Sequence, residues 1–435
     1  MPSPSRLCET ILLCCLLFAC GCREKPAPPV PLDPAGVEIR VGVLSAERIL
    51  VRMPGRVEIR PLAGGEPLYR GELPGTVAAV SAGVGAGIEL AGMTFAGAVR
   101  VASLGDRAGG AGVDFAPGAG PRSQRLPALY HRAGADFTVT AILDGSEASS
   151  YRGALELRAD DGLVQAVNAL DLQSYLLGVV GAEMPAYFEA EALAAQAIVS
   201  RTFALYNIER ARSNGRPGVF RATTGFQVYK GFSAEARSTR KAVVETRGQV
   251  LSWRGALFSS YFHSTCGGRT ANANEALGVT AIEPLAGVAC GGCAAGRFYR
   301  WDSRLASSEL EDVARRYLRK NSPEVSLGAI EELEVIERAA DGRALYLRLR
   351  HSRGSFEWRA DSFRLAVEAR FPGTVRSTAF TSRKAESGEW VLSGSGFGHG
   401  VGLCQVGARG MAREGAGCRK ILQRYYPGSE WMKAY

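Results

Sequence analysis

Three segments of the chain carry side chains whose types and neighbours suit chemistry. The first is Gly178-Val179-Val180-Gly181-Ala182-Glu183-Met184-Pro185. Glu183 stands between apolar neighbours, with a proline two residues on. A carboxyl partly withdrawn from water in that setting is raised in pKa toward the range of a general acid. The plainer reading is a glutamate at the start of a helix that caps it or stays solvated. The second segment is Tyr261-Phe262-His263-Ser264-Thr265-Cys266-Gly267-Gly268-Arg269-Thr270. Its imidazole closes an apolar strand just ahead of two glycines, which suits a cleft floor and equally a satisfied core histidine. The third is Gly394-Ser395-Gly396-Phe397-Gly398-His399-Gly400-Val401-Gly402-Leu403-Cys404-Gln405. Alternate glycines let a backbone approach another surface closely, or simply make a tight turn. It is not a phosphate-binding fingerprint, because no strand leads it into a dinucleotide unit and no Walker lysine is present.

The elements that must position these segments are mixed. From Gly36 to about Ser103 apolar and polar residues alternate, as in Val37-Glu38-Ile39-Arg40-Val41, and Gly and Pro punctuate the run, so it reads as short strands. Gly105 to Gln124 is rich in Gly, Ala and Pro and reads as a loop. Strand patterns resume at Asp136 to Leu143 and Gly153 to Leu157. The strongest helix spans about Phe188 to Arg212, with Leu193, Ala197, Ala204, Leu205 and Ile208 on one stripe, and Asn214-Gly215 and Pro217 end it. Arg201 falls in the centre of that stripe. A buried guanidinium there requires an anionic or carbonyl partner, whether it anchors the fold or belongs to a site.

Further along, Ala234 to Thr246 reads as a helix leading into a hairpin, Gln249 to Trp253 and Ala256 to His263. Ser307 to Lys320 reads as a helix, and strands Glu331 to Glu337 and Ala344 to Arg350 flank the turn Asp341-Gly342. A helix to Arg413 and another over Arg419 to Tyr426 close the chain. Strands and helices mix without regular βαβ alternation, so the expected fold class is α+β, with a substrate cleft and a strand-rich N-terminal region.

The chain has 435 residues, 46% apolar and 22% charged, which excludes long disordered, collagen-like and multi-span membrane readings. Five of its ten cysteines lie in the first 22 residues. There the apolar run Ile11 to Ala19 is too short to span a bilayer but fits a signal-peptide core. Leu17-Phe18-Ala19-Cys20 looks like a lipobox that would make Cys20, or else Cys22, the lipidated residue; a plain cleaved signal is the alternative. The expected organisation is a signal peptide over 1–22, a Pro-rich linker over 23–35, a strand-rich region over 36–150 and a catalytic region over 151–435. Export to the periplasm or cell wall, with a membrane anchor through lipid, follows. The net charge of +9 suits an anionic partner. That charge is scattered rather than gathered into a stripe, which speaks against nucleic acid.

Taken together the segments carry a family resemblance. The run Tyr175 to Pro185 is followed by Glu191-Ala192-Leu193-Ala194-Ala195-Gln196-Ala197, by Arg201-Thr202-Phe203-Ala204-Leu205 and by Gln227-Val228-Tyr229-Lys230-Gly231. Next come His263-Ser264 with Gly267-Gly268 and Thr270, then Phe397-Gly398-His399-Gly400-Val401-Gly402-Leu403 with Gln405, and Tyr425-Tyr426-Pro427-Gly428. From about Tyr151 to Tyr435 the chain resembles the stage II sporulation protein D family, whose relatives include amidase-enhancer proteins of bacterial cell walls. The sporulation name is a family label.

That resemblance implies a lytic transglycosylase acting on peptidoglycan glycan strands, with a preference for strands stripped of stem peptides. Glu183 matches the family's catalytic acid. Gln196, Arg201, Gln227, Tyr229, His263, Ser264, His399 and Gln405 are candidate cleft residues, as substrate contacts or as supports for Glu183. The alternative is a non-catalytic, wall-binding lipoprotein that modulates an amidase partner. Two departures stand out: Phe397 where tryptophan is usual, and Gln173-Ser174 where an acidic residue commonly precedes Tyr175. A relative's zinc site near the His263 segment further implies a structural zinc, with His263, Cys266, Cys290 and Cys293 as its ligands; no other cofactor is required. Export favours disulfides instead, between two of those cysteines, with Cys404 and Cys418 as further candidates.

Overall fold

The structure is a computed structural model that describes residues 37–53, 55–82, 87–104, 140–144, 147–215, 219–222 and 226–435. The expected signal peptide with Cys20 and Cys22, the linker and the loop over 105–124 lie outside the described residues. The fold is α+β. Its helices are α1 (Leu172–Glu183), α2 (Ala190–Ser213), α3 (Arg237–Glu245), α4 (Ala273–Leu277), α5 (Ser307–Asn321), α6 (Ala360–Glu368), α7 (Gln405–Arg413) and α8 (Cys418–Tyr425). None of the described helices is long and apolar enough to cross a membrane.

The alternating N-terminal residues form strands of two sheets. One runs Phe220–Arg221, Glu38–Ala46, Leu163–Asp171, Ala154–Asp160, Val99–Ser103, Arg56–Pro61 and Tyr69–Glu72 in spatial order. The other runs Glu147–Tyr151, Thr140–Asp144, Arg48–Arg52, Thr76–Ser81, Ile88–Leu90 and Met93–Phe95. Ile39 and Val41 from the first and Ile49 and Val51 from the second bury their side chains in one core. α1 and one face of α2 pack into the same core through Leu176, Val179, Val180, Ala197, Ala204 and Leu205. The boundary expected near residue 150 therefore falls inside a core. Glu38–Ala46 pairs antiparallel with Leu163–Asp171 from end to end, so the early strands are part of what seats α1.

The sequence reading gave no helix at α1 and placed Glu183 at the start of the next one; it is instead the last residue of α1. Asp171 caps the helix by accepting the amides of Gln173 (2.9 Å) and Ser174 (3.0 Å). Pro185 ends it, since the residue before a proline avoids the helical region, and Met184 is extended. Two glycines disguise the helix. A Cβ at Gly181 would lie 1.9 Å from the Ala234 carbonyl oxygen, and one at Gly178 would lie 2.6 Å from the Tyr229 ring. Their absence lets the segment from Tyr229 to Ala234 rest directly on α1.

α2 is central. Leu193, Ile198 and Val199 on its other face enter a second core with α7, α8, the five described cysteines and Ala271, Val401, Leu403 and Ala408. The expected hairpin is shorter than its pattern: Ser252 and Trp253 pair with Leu257 and Ala256, and the other edge of Gln249–Trp253 pairs with Glu430–Lys433. Phe262–His263 then pairs in parallel with Leu403–Cys404, which brings the histidine segment and the glycine-rich segment side by side. Between them, residues from Trp301 to Leu392 build a third core from α5, α6 and two three-stranded sheets.

Candidate active site

Glu183 closes α1 partly exposed, and its Oε1 accepts the Val228 amide at 2.6 Å. Burial pushes its pKa up to about 7, against the lowering effect of that hydrogen bond. The C-terminal end of a helix is the negative end of its dipole, which also disfavours a carboxylate there. Val228 reaches Glu183 because its neighbours are fixed. The Tyr229 hydroxyl donates to Asn168 Oδ1 at 2.7 Å, and the Tyr175 hydroxyl donates to Gln227 Oε1 at 3.1 Å.

From Gln227 a chain of neutral polar groups runs beneath the site. Gln227 donates to the Ser200 carbonyl (3.4 Å), Gln196 donates to the Ser200 hydroxyl (3.0 Å), and Gln405 donates to Gln196 Oε1 (3.4 Å). Gln405 follows Cys404, the residue paired with His263 in the parallel bridge. The three segments picked out by their chemistry thus meet through one floor. Glu183 makes no hydrogen bond to either histidine.

The alternate glycines of the third segment are needed for close approach. Gly396, Gly398, Gly400 and Gly402 all have positive φ. A Cβ at Gly402 would lie 1.9 Å from the Tyr261 carbonyl oxygen and one at Gly398 would lie 2.9 Å from His263 Cβ. The loop so held presents His399, half-buried, 5.7 Å from the His263 ring. His263 Nδ1 donates to the Val401 carbonyl (3.0 Å), so Nε2 carries its lone pair, and that atom has no partner among the described residues. His399 Nδ1 accepts the Val401 amide at 3.0 Å. Burial pushes both imidazoles down, His399 to about 4, and both are neutral at pH 7.

Most of the candidate cleft residues are buried. Gln196, Arg201 and Gln227 are fully buried, and Tyr229, His263 and Gln405 nearly so, which leaves them no face for a ligand. Arg201 lies away from the floor. It donates to the carbonyls of Gln249 (3.1 Å) and Val243 (3.2 Å), to Thr246 Oγ1 (3.4 Å) and to Gln173 Oε1 (3.4 Å). It joins α2 to α3, the strand Gln249–Trp253 and α1. Gln173, one of the family departures, is therefore a neutral partner of this arginine. Ser264 and His399 stay partly accessible. Phe397, the other departure, packs edge-on against Phe298 at 5.1 Å.

One exposed residue passed unnoticed in the sequence. Tyr187 is 72% exposed four residues after Glu183. Its ring meets Phe188 edge-on at 5.4 Å, and the Arg409 guanidinium lies 5.0 Å from it and 4.6 Å from Phe188. The signal was the aromatic pair just beyond Pro185.

The expected metal set needs correction. The Sγ atoms of Cys266, Cys290, Cys293 and Cys404 all lie within 4.8 Å of one another, whereas His263 is not among the group. Its Nδ1 is turned to Val401 instead. All five described cysteines are free thiols, and Cys418 lies outside the cluster.

Residues 160–253 match the family model described as stage II sporulation protein, and residues 291–402 match one described as a domain of unknown function. An uncharacterized protein of Brachyspira hyodysenteriae is 32% identical over 278 residues, which cover 64% of this chain and 71% of that protein. The stage II sporulation protein D of Bacillus subtilis is 27% identical over 289 residues, 62% of this chain and 77% of its own. The amidase enhancer of Bacillus subtilis is 27% identical over 292 residues, 58% of this chain but 40% of its own.

Proposed function

The chain belongs to the stage II sporulation protein D family, and from that premise we propose that it is an exported lytic transglycosylase of peptidoglycan. Glu183 supplies both the acid and the base. The observation that carries the reading is a largely buried carboxyl with a pKa of about 7 at the edge of a pre-built polar floor. Such a group is part protonated near neutrality, so it can give a proton and take one back.

With Oε1 held by Val228, the other oxygen carries the proton. It passes to the glycosidic oxygen as the bond to the anomeric carbon breaks. The resulting carboxylate then takes the proton of the muramyl 6-hydroxyl, whose oxygen closes on the anomeric carbon. The products are a free hydroxyl on the leaving sugar and a 1,6-anhydro ring, with no water consumed. A hydrolase would need a second carboxylate as nucleophile or to activate water.

The test is to incubate the chain lacking residues 1–22 with intact and with peptide-stripped glycan strands, and to look for anhydro-muramyl ends by mass spectrometry. Ends made by wild type and not by Glu183→Gln support the reading, and a faster reaction on stripped strands supports the substrate preference. Reducing ends would replace it with hydrolysis.

A second reading, a non-catalytic wall-binding lipoprotein that modulates an amidase, is favoured by the relative named amidase enhancer and by how few nominated contacts reach the surface. It predicts no cleavage of either strand and stimulation of an added amidase. In both readings the partner is the cell wall, reached through export and a lipid anchor at Cys20 or Cys22.

A further inference from the structure

We propose that Cys266, Cys290, Cys293 and Cys404 form a tetrathiolate zinc site that clamps the His263 strand to the start of α7, and that His263 is not one of its ligands. The four sulfurs come from three separate segments and are all buried. Tetrahedral zinc with Zn–S of about 2.3 Å sets sulfurs roughly 3.8 Å apart. The observed separations, none above 4.8 Å, close to that geometry by shifts of about 1 Å or less.

Three of the four sulfurs lie within reach of hydrogen-bond donors that a metal-bound thiolate would keep. Cys404 Sγ accepts the amides of Cys266 and Gly407, both at 3.3 Å, and Cys266 Sγ accepts the amide of Gly268 at 3.4 Å. The Tyr425 hydroxyl lies 3.1 Å from Cys290 Sγ. Cys404 also caps the N-terminus of α7, where the helix dipole favours negative charge. Arg343, whose guanidinium is paired with Asp341 at 3.0 Å, donates to the Cys266 carbonyl at 2.7 Å. Its NH1 has no partner among the described residues. Hydrogen bonds of this kind are the outer shell that orients and steadies ligated thiolates.

Glycines make the room. A Cβ at Gly407 would lie 2.5 Å from Cys290 Sγ, and one at Gly292 would lie 2.5 Å from the Gly407 carbonyl oxygen. The Cys-Gly-Gly-Cys turn therefore sits directly on the first turn of α7. A disulfide is a poorer fit. Cys266 and Cys293 are 3.4 Å apart and would have to close to about 2.05 Å, yet the sulfurs form one group of four rather than two pairs. An all-thiolate set suits zinc, and closed sites of this kind hold structure rather than perform chemistry. The clamp would fix Gln405 and His263 relative to each other, whatever reaction the cleft supports.

The experiment uses the full-length chain purified without chelator. Elemental analysis should find one zinc per chain, and X-ray absorption at the zinc edge should show four sulfur neighbours at about 2.3 Å. His263→Gln should keep its zinc, while Cys404→Ser should lose it or hold it at reduced occupancy. A nitrogen neighbour, with loss of zinc in His263→Gln, would overturn the ligand assignment. Iron in place of zinc would overturn the metal. Cysteines that resist alkylation in denaturant until reduced would show disulfides and overturn the site. If Cys404→Ser does not fold, the absorption spectrum of the wild type decides alone.

Discussion

Glu183→Gln should do more than abolish activity; it should make the protein more stable, and by an amount that depends on pH. In the folded chain the carboxyl has a pKa of about 7 against an ordinary 4.5. Between those values the folded state binds more protons than the unfolded state, so wild-type stability falls as pH rises through that window and levels off above it. At roughly 1.4 kcal/mol per pH unit the full interval is worth about 3 kcal/mol. Solvent that still reaches the side chain lowers this toward about 2 kcal/mol. Glutamine keeps an oxygen for the Val228 amide and carries no charge, so the variant escapes the loss. Its advantage should be under about 1 kcal/mol at pH 5 and reach about 2–3 kcal/mol at pH 8. Urea unfolding of both proteins at several pH values between 5 and 8 reads this directly. A stability gap that does not widen with pH, or a variant weaker than wild type at pH 8, refutes the reasoning. It would mean a solvated carboxylate held by one hydrogen bond, and the physical basis for a general acid would be gone.

Three other substitutions separate supports from contacts. Gly181→Ala drives a methyl into the Ala234 carbonyl; it should cost about 1–3 kcal/mol in urea unfolding and reduce activity, because Val228 moves with the displaced segment. Arg201→Leu strands the Gln249 and Val243 carbonyls; it should cost roughly 2–4 kcal/mol, while the folded fraction binds glycan with unchanged affinity by calorimetry. Tyr187→Ala should leave stability within about 0.5 kcal/mol. In a Glu183→Gln background it should weaken glycan binding about threefold to tenfold, the worth of one ring stack at about 0.5–1.5 kcal/mol.

The parts of the fold legible in the sequence are those where one local signal dominates. The expected helix from Phe188 to Arg212 appears as α2, and that from Ser307 to Lys320 as α5, because apolar spacing and stop signals agree there. α1 was hidden because its glycines, which weaken a helix locally, are required by a tertiary contact with residues distant in sequence. The end of the expected hairpin failed for a similar reason. Phe262-His263 has the right pattern for a strand, but its partner is Leu403–Cys404, about 140 residues away. The cysteine cluster shows the same limit: the family resemblance offered His263, whereas the fold brings Cys404, distant in sequence, to Cys266, Cys290 and Cys293. Glu183 itself was legible as a residue type in an apolar setting. The degree of its burial was not, since that depends on the Val228 segment folding over it.

The chemistry of the floor bears on how the site would respond to pH. Tyr175, Gln227, Ser200, Gln196 and Gln405 are joined by hydrogen bonds among neutral groups, none of which changes charge near neutrality. His399, the accessible imidazole, is pushed down to about 4 by burial. A carboxyl that acts first as acid must enter the reaction protonated, and Glu183 loses that proton at about pH 7. The profile of kcat/KM should therefore show a single descending limb with a midpoint near 7 in the free enzyme, and no ascending limb between pH 5 and 7. A bell-shaped profile centred near neutrality would require a second ionising group acting as base. That result would favour hydrolysis over internal attack by the 6-hydroxyl, because only hydrolysis requires a second carboxylate.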